Sequence, residues 1–429
     1  GEPGRGAAPA RRIRIDAAHD KGLWEAAMSA EAVEKKAKVG PAGGDPLAAA
    51  RALAPLLAAE ADEIERRREL TEPVLAALIE RGLFRLLLPK ALGGAELPPA
   101  EFVAVIEEVA RYDASTAWCL GQANGCAMTA AFLAPEAAQE IFGPPGGVVA
   151  WGPPGPAECR AAPGGYRLSG SWSFASGSHH ATWLGAHVPV VAPDGTPRRR
   201  PDGGAILRTL LFPKAAARMS DIWHVVGLRG TGSDMYAVSD LFVPERHAVL
   251  RDPAAAPRRG GALYRFSAST LYSAGFAGVA LGIARSVFAA FVELARDKIP
   301  RGARRTLRDD NVIQSEVAQA EARLSSARAH LLGALADIWR EVCGTGGLTQ
   351  DHTVTIRLAS TWAIHQSRDV VESLYHAAGA TAIFAGQPFE RRFRDIHAVA
   401  QQYQGRQAHF ETVGQVLLGL PADGIMFTF

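Results

Sequence analysis

The 429-residue chain has few cysteines, little net charge and no dinucleotide-binding signature. Cys119, Cys126, Cys159 and Cys343 form no CxxC pair and no spacing typical of zinc ligands, so we expect reduced thiols, no metal site and a cytoplasmic location. A formal net charge of +2 favours neither nucleic acid nor an anionic membrane as a partner. No GxGxxG follows a predicted strand, so the sequence shows no nicotinamide-nucleotide site of its own.

The chain contains one long apolar run, from Tyr272 to Val292. Arg285 lies near its centre, where a charge would be costly in lipid, and small residues recur every few positions, as in a tightly packed helical bundle. We therefore predict a buried helix of a soluble protein. The N-terminus lacks the basic-then-apolar pattern of a secretory signal.

Composition and periodicity divide the chain into four stretches. A first stretch rich in Gly, Pro, Ala and charge predicts a flexible tail, and apolar residues at i, i+3, i+4 and i+7 (Phe102, Val105, Ile106, Val109) predict helices after it. Short Val, Trp, Phe and Thr runs between frequent Gly and Pro then predict strands, and helices return after them. The predicted units are a tail at 1–44, an N-terminal helical domain at 45–143, a β domain at 144–258 and a C-terminal helical bundle at 259–429.

The stretch 170–183, which reads GSWSFASGSHHATW, predicts a strand that ends in a tight turn. Trp172, Phe174 and Ser176 alternate with small residues, and a period of two places them on one face of the strand. Gly177 then marks the turn. A face with two aromatic rings and a hydroxyl suits a flat apolar ligand with a polar edge. The alternative interpretation is an aromatic-lined core strand.

A glycine-rich segment, WHVVGLRGTGSD at 223–234, is the strongest local signature. Three glycines within six residues permit tight turns and exposed amides. Arg229, Thr231 and Ser233 add a cation and two hydroxyls, which together are typical of an anion cradle. A plain glycine-rich hairpin between two strands is the alternative interpretation.

Two shorter motifs lie in the C-terminal helical region. The segment LYRF at 263–266 places Arg265 at the start of the bundle, where it either contacts a ligand, caps a helix or forms a surface ion pair. The segment FERRFRDIHAVAQ at 389–401 places His397 two residues after Asp395. An imidazole can exchange protons near neutral pH, and a helix-packing histidine is the alternative.

In its order of domains and in these four motifs, the chain resembles the acyl-CoA dehydrogenase superfamily from about Pro46 onward. It most resembles the two-component flavin monooxygenases of that superfamily, known as group D. The resemblance implies an α+β fold that is mostly α-helical, with an N-terminal helical domain, a middle β-barrel and a C-terminal four-helix bundle. It also implies a homotetramer.

The resemblance assigns roles to particular residues. By gapless comparison, Phe174 falls where the dehydrogenases carry a flavin-stacking Trp, and Ser176 falls where a Thr or Ser hydroxyl meets flavin N5. His397 is implied on the substrate side, as a base or hydrogen-bond donor, so Ser176 and His397 are the expected catalytic residues. The other residues expected at the flavin are Trp118, Arg229, Thr231, Ser233 and Arg265, and those expected at the substrate are Asn124 and Tyr272.

The chain departs from the dehydrogenases where they carry the carboxylate that removes the α-proton of an acyl thioester. Many of them have a Glu-Gly pair, but this chain has Gln404-Gly405 in the matching region, and a neutral amide cannot take that proton. A second branch of the superfamily has its Glu at a position that matches about Ala268 here. Glu411 and Asp395 lie nearby in sequence. The departures favour oxygenation over desaturation.

The implied function is that of an oxygenase component. It would take reduced FMN or FAD from a separate NAD(P)H-dependent flavin reductase, form a C4a-hydroperoxyflavin with O2 and hydroxylate an aromatic or other electron-rich small molecule. One alternative is an acyl-CoA dehydrogenase or flavin oxidase with a relocated base, and another is a non-catalytic flavin-binding member. The sequence leaves open FMN or FAD as the flavin and carbon, nitrogen or sulfur as the oxidised atom.

Overall fold

The computed structural model of the protein describes residues 44–192, 194–199, 205–250 and 260–422. Apart from Gly44, the predicted tail at 1–44 lies outside the described residues, and so does the predicted boundary at 258 between the β domain and the bundle.

The first part of the described chain is helical. Its α-helices are α1 (Pro46–Ala52), α2 (Ala54–Arg67), α3 (Glu72–Glu80), α4 (Pro99–Ala110), α5 (Ala114–Ala127) and α6 (Pro135–Phe142). Helix α5 begins as its sequence predicts, because the Asp113 side chain accepts a hydrogen bond from the backbone N–H of Thr116 at 2.6 Å. The predicted apolar stripe of α4 is buried along its whole length.

Eight strands follow. They are β1 (Val149–Ala150), β2 (Ala157–Ala162), β3 (Gly165–Ala175), β4 (Trp183–Val191), β5 (Leu207–Pro213), β6 (Arg218–Ser220), β7 (Asp234–Pro244) and β8 (Ala248–Leu250). Their order in the sheet is β6-β7-β3-β2-β4-β5-β8, with β1 added alongside β4. Among the described strands the hydrogen-bonded path runs from β6 to β8 without closing on itself, and both edge strands have only three residues.

The last part is helical again. It contains α7 (Ala268–Asp297), α8 (Asn311–Thr345), α9 (Gln350–Ala378), α10 (Glu390–Gln401) and α11 (Ala408–Leu417). Gly346, with φ of +90°, ends α8, as the Gly344–Gly347 region of the sequence predicts. The segments 83–85, 90–92, 128–132, 214–216, 229–231, 245–247, 262–265, 307–309, 379–383 and 403–405 are short 3-10 turns.

The apolar run forms most of α7. By length and composition this helix could cross a membrane, but 67% of its most apolar window is buried inside the protein. Arg285 reaches Glu321 of α8, and Gly282 allows close packing on α4, because a Cβ there would lie 2.4 Å from the Glu107 carbonyl oxygen. Helix α7 is therefore the central helix of the described bundle.

The helices of both ends of the chain share one hydrophobic core, which runs from Ala50 to Ala400 and is organised around α7. The sheet encloses a second core, in which Trp172, Tyr236 and Phe212 are fully buried. The end of β3 and the turn before β7 lie where this sheet meets α5 and α10. This junction carries the candidate site.

Candidate active site

Strand β3 has a bulge just before its end. Its pairing with β7 shifts register between Trp172 and Ala175, and Phe174, inside the bulge, has a left-handed backbone with φ of +61°. A left-handed backbone is unfavourable for a phenylalanine. The Phe174 side chain nevertheless projects outward with 62% of its surface exposed. The fold thus holds an aromatic ring at the surface on a strained backbone, which is typical of a ligand site.

The bulge corrects one prediction from the sequence. Trp172, Phe174 and Ser176 do not share a strand face, because the extra residue breaks the period of two. Trp172 points into the sheet core, fully buried and stacked on Tyr236. Phe174 lies on the outside, where its ring meets Trp223 edge-on at 5.9 Å between centroids. The predicted turn at Gly177 is confirmed, with φ of +78°.

Three hydroxyl groups form a short chain behind Phe174. Ser176 Oγ lies 2.7 Å from Ser233 Oγ, which in turn lies 2.7 Å from Thr231 Oγ1. The chain ends at the Leu228 carbonyl oxygen, 2.8 Å from Thr231 Oγ1. At its other end the indole Nε1 of Trp118 donates to Ser176 Oγ at 3.0 Å. Ser233 and Thr231 are 1% and 2% exposed and Ser176 is 7% exposed, so Ser176 is the hydroxyl of this chain nearest the surface.

The turn before β7 is packed tightly between helices. A Cβ at Gly227 would lie 2.2 Å from the Arg394 carbonyl oxygen of α10, and one at Gly230 would lie 2.2 Å from Ile64 of α2. The backbone N–H of Gly177 donates to the Thr231 carbonyl at 2.9 Å, which fastens this turn to the turn after β3. The glycines therefore serve close packing, and the segment is a rigid support.

Asp395 of α10 binds the same turn. Its carboxylate accepts the backbone N–H of Leu228 at 2.6 Å. Burial raises the pKa of Asp395 from 3.8 to about 7, although the hydrogen bond from Leu228 opposes the shift. Asp395 thus connects the C-terminal helices to the turn that carries the hydroxyl chain.

An aromatic stack continues from Trp118 along α7. Trp118 and Phe276 are parallel, with 3.8 Å between ring centroids, and Phe276 stacks on Tyr272 at 5.8 Å. Gly125 leaves room for the last ring, because a Cβ there would lie 2.2 Å from Tyr272. The structure thus brings two predicted residues, Trp118 and Tyr272, into one stack of rings that begins beside Ser176.

Two residues at this site, Trp223 and Phe276, have no role that was predicted from the sequence. Trp223, the edge-on partner of Phe174, opens the glycine-rich motif and could have been found there. Phe276 sits between Trp118 and Tyr272 in the stack, but it lies within a uniformly apolar helix and carries no sequence signal that separates it from core residues.

The predicted anion cradle at the glycine-rich turn is only partly present. Thr231 and Ser233 are buried behind Ser176, so they reach a ligand only through it. Arg229 is part-exposed; its Nη1 lies 3.8 Å from Glu65, and its buried Nε has no hydrogen-bond partner among the described residues.

Two further predicted residues, Asn124 and Arg265, have structural contacts. Both amide hydrogens of Asn124 are used by the carbonyls of Leu83 and Leu120, and its Oδ1 accepts from Leu87 N–H, so the fully buried side chain fixes the segment before α4 to α5. Arg265 donates to the Val342 carbonyl at 2.9 Å and so caps the C-terminal turn of α8. These contacts give both side chains a structural role, and the substrate role of Asn124 and the flavin role of Arg265 stay predictions.

His397 lies on α10, two residues beyond Asp395. Its ring meets Phe393 edge-on at 4.5 Å, and its Nε2 lies 3.5 Å from Glu372, too far for a hydrogen bond. That buried nitrogen has no hydrogen-bond partner among the described residues. The structure records no contact between His397 and the hydroxyl chain; the two are connected through α10 and Asp395.

The region that matches the dehydrogenase base holds no carboxylate ready for proton abstraction. Gln404 is buried and accepts from Arg357 Nη1 at 2.6 Å, and burial lowers the pKa of Arg357 to about 10. Asp395 is committed to Leu228, and Glu411 is exposed. The residue types and contacts here do not provide a relocated base.

The exposed and the buried groups at the end of β3 fit a flavin. Phe174 and Trp223 offer an apolar surface for a flat ring, Ser176 offers a hydroxyl, and Arg229 offers a part-exposed guanidinium group. In the part of the chain that the structure describes, no group of three or more His, Cys, Asp or Glu side chains could hold a metal ion.

Sequence and structure comparisons give relatives over most of the chain. Residues 47–144 match the acyl-CoA dehydrogenase N-terminal domain and residues 274–407 match the acyl-CoA dehydrogenase C-terminal domain. An indole-3-acetate monooxygenase of Pseudomonas putida is 30% identical over 358 residues, which cover 83% of this chain and 89% of the relative.

Two further relatives are also named as oxygenating enzymes. The flavin-dependent monooxygenase oxygenase subunit HsaA of Rhodococcus jostii is 29% identical over 81% of this chain and 91% of its own length. The crystal structure of 3-HSA hydroxylase from Rhodococcus sp. RHA1 superposes with a TM-score of 0.81 at 26% identity, covering 90% of this chain and 100% of that one.

Proposed function

The chain belongs to the acyl-CoA dehydrogenase family as the oxygenase component of a flavin-dependent monooxygenase, and we propose that it hydroxylates an aromatic small molecule at the junction of β3, α5 and α10. Reduced flavin, when bound, supplies the electrons that activate O2 for transfer of one oxygen atom. The observation that carries the proposal is the pairing of an exposed ring, Phe174, with a nearly buried hydroxyl, Ser176, on one strained turn.

Four residues would hold the flavin. Phe174 and Trp223 would form the apolar wall for the ring system, and Ser176 would offer its hydroxyl to the flavin. Arg229 would place its part-exposed guanidinium group at the polar edge. Trp118 fixes Ser176 from behind and excludes water from it, because its indole covers the hydroxyl and donates to it.

An aromatic substrate is supported by the stack that begins beside Ser176. Trp118, Phe276 and Tyr272 stack on one another, so a further aromatic ring would pack on the outer face of one of the two end rings, Trp118 or Tyr272. The named relatives are an indole-3-acetate monooxygenase and, at 28% identity, the oxygenase component of an FADH2-dependent resorcinol hydroxylase from Rhizobium sp.. Both names specify aromatic compounds.

His397 would act on the substrate side, as a base or as a hydrogen-bond donor. What supports this role is an imidazole nitrogen without a hydrogen-bond partner on the helix that Asp395 fastens to the glycine-rich turn. A neutral imidazole could accept a phenol proton as oxygen is transferred.

As an oxygenase component, the protein takes its reduced flavin from a separate flavin reductase, which we propose to be NAD(P)H-dependent. We also propose a cytoplasmic homotetramer. Exposed apolar side chains on the C-terminal helices and the segment between them, among them Trp362, Phe384 and Leu417, suit burial against further copies. Light scattering of the purified protein would give the mass of a tetramer, and a monomer mass would contradict the proposal.

Oxygen incorporation tests the function directly. The protein is mixed with FMN or FAD, NADH, a flavin reductase, 18O2 and a panel of phenols and indoles. We expect one labelled oxygen atom in at least one product, and no product when the reductase is left out. Hydrogen peroxide as the sole oxygen product across the panel, or oxidation by NADH without the reductase, would contradict the proposal.

The role of His397 is tested in the same assay. His397→Ala should lower the yield of labelled product at least tenfold while it leaves the Kd of reduced flavin unchanged, because His397 lies away from the proposed flavin contacts. His376→Ala is the matched control, since His376 is an exposed histidine on neighbouring α9. Equal yields from both variants would remove His397 from the mechanism.

A further inference from the structure

The hydrogen bonds of the hydroxyl chain have a single consistent direction. The Leu228 carbonyl can only accept, so Thr231 donates its one hydroxyl hydrogen there. Because Thr231 has no second hydrogen, Ser233 must donate in the bond to Thr231 Oγ1. Ser233 has then used its own hydrogen, so Ser176 must donate in the bond to Ser233 Oγ.

The other end of the chain agrees with this direction. The Trp118 indole nitrogen can only donate, and it does so to Ser176 Oγ. Ser176 therefore accepts one hydrogen bond from Trp118 and gives its only hydrogen to Ser233. A hydroxyl oxygen has two lone pairs, so a single acceptor position remains on Ser176.

The free acceptor position on Ser176 Oγ distinguishes the two redox states of a flavin. Reduced flavin carries a hydrogen on N5 and donates it, whereas N5 of oxidised flavin has no hydrogen and only accepts. With this direction of the hydrogen bonds, Ser176 Oγ can accept a hydrogen bond from the N5 hydrogen of the reduced form. It can serve the oxidised form only if it withdraws its hydrogen from Ser233, which would leave a buried hydroxyl oxygen without its donor.

We propose that Ser233 and Thr231 are positioning residues that turn the Ser176 hydroxyl into an obligate acceptor and so make the site selective for reduced flavin. This inference rests on the proposed function, because it takes Ser176 to face N5. A bias of this kind suits a protein that must capture reduced flavin and release it after oxidation. Neither residue touches the flavin, since both are buried behind Ser176.

The ratio of two dissociation constants tests the inference without turnover. For the full-length protein, Kd is measured for reduced flavin without oxygen and for oxidised flavin, and the ratio of oxidised to reduced is compared among variants. Ser233→Ala and Thr231→Val both free the Ser176 hydrogen, so the ratio should fall about tenfold, the value of one hydrogen bond of about 1.4 kcal/mol. Thr231→Ser keeps the chain and should keep the wild-type ratio.

The outcomes separate the inference from the proposed function. If both flavin states bind and the ratio is the same in wild type, Ser233→Ala and Thr231→Val, the inference is overturned while the flavin site stands. An unchanged ratio in Ser176→Ala overturns it too, because Ser176 then does not face N5. If wild type binds neither state, the proposed function itself has failed. If Ser233→Ala does not fold, the ratio in Thr231→Val compared with that in Thr231→Ser tests the inference by itself.

Discussion

Ser176 and Phe174 are two residues apart in the sequence, but their side chains lie in opposite environments. Ser176 is nearly buried and its hydroxyl is bonded on two sides, whereas Phe174 is exposed on a left-handed backbone. An isolated protein gains nothing from a strained, exposed ring. The strain is explained if the ring contacts a ligand, because binding then buries it.

Replacing Phe174 separates the ring from the backbone strain. Phe174→Gly removes both and should raise the free energy of unfolding by about 1 kcal/mol, since glycine adopts positive φ at little cost. Phe174→Ala removes the ring alone and should give no such gain. Both variants should weaken the binding of reduced flavin about tenfold, the effect of a lost aromatic contact of about 1.4 kcal/mol. Urea unfolding and flavin titration measure the two effects.

The two variants also define what would contradict this interpretation. Unchanged flavin affinity in both would mean that Phe174 does not contact the ring. A loss of stability in Phe174→Gly would mean that the exposed side chain has a structural role, for example through its contact with Trp223.

At the scale of single residues, the sequence predicted which side chains are present better than it predicted where they point. The stretch 170–183 shows the aromatic rings, the hydroxyl and the turn. It does not show that Trp172 and Phe174 point to different sides of the sheet, because one extra residue in β3 breaks the alternation. A bulge depends on pairing with β7, some 60 residues away in sequence, and leaves no local signal. The structural contacts of Asn124 with Leu83 and of Arg265 with Val342 were not readable for a related reason: these partners lie in distant segments.

The element that holds the site together is the turn between β6 and β7. Its predicted role was an anion cradle, but its glycines allow backbone contact with α2 and α10. Two of its hydroxyls complete the chain behind Ser176. The motif is thus a support for the end of the neighbouring strand β3, where we propose that the flavin binds.

Gly227→Ala tests this supporting role. A Cβ at Gly227 would lie 2.2 Å from a backbone oxygen of α10, so the turn and the helix must separate. We expect a loss of about 1–3 kcal/mol in the free energy of unfolding, together with weaker flavin binding. Gly386→Ala, at an exposed position with nothing within 4 Å of the new Cβ, is the control and should change neither. Equal effects from the two substitutions would contradict the packing argument.

Helix ends were the elements that sequence predicted best. Asp113 caps α5 and Gly346 ends α8. These signals are local, since caps and left-handed glycines act within one turn. Their accuracy matters for the site, because α5 carries Trp118.

Over the whole molecule, one core joins helices from both ends of the chain. The β domain is inserted between them, and Asp395 fastens the C-terminal part to the turn before β7. The order of helices, strands and helices was predictable from composition and from the family resemblance. The shared core was not, because periodicity shows which face of a helix is buried but not against which partner.

Asp395 should give the protein a pH-dependent stability. Its pKa is raised from 3.8 to about 7 by burial, so between these values the native state holds a proton that the unfolded state has lost. The stabilisation is complete below pH 4 and is lost as the pH rises through 7. Asp395→Asn does not titrate and can still accept from Leu228, so its stability relative to wild type should rise by about 2–3 kcal/mol between pH 5 and pH 8.

Urea unfolding of both proteins at the two pH values measures this difference. Repeating it at high salt separates the buried carboxyl from surface charges, whose effects salt screens. A difference between variant and wild type that stays constant from pH 5 to pH 8 would show that Asp395 is ionised in the native state throughout.

The measurement that tests the central claim most directly needs no substrate. Protein and reduced FMN or FAD are mixed without oxygen, then rapidly mixed with oxygenated buffer while the absorbance of oxidised flavin is followed. An oxygenase component that shields flavin N5 with Ser176 should delay the return of oxidised flavin, and Ser176→Ala should shorten the delay about tenfold or more. Reoxidation at the rate of free flavin, unchanged in Ser176→Ala, would contradict the account.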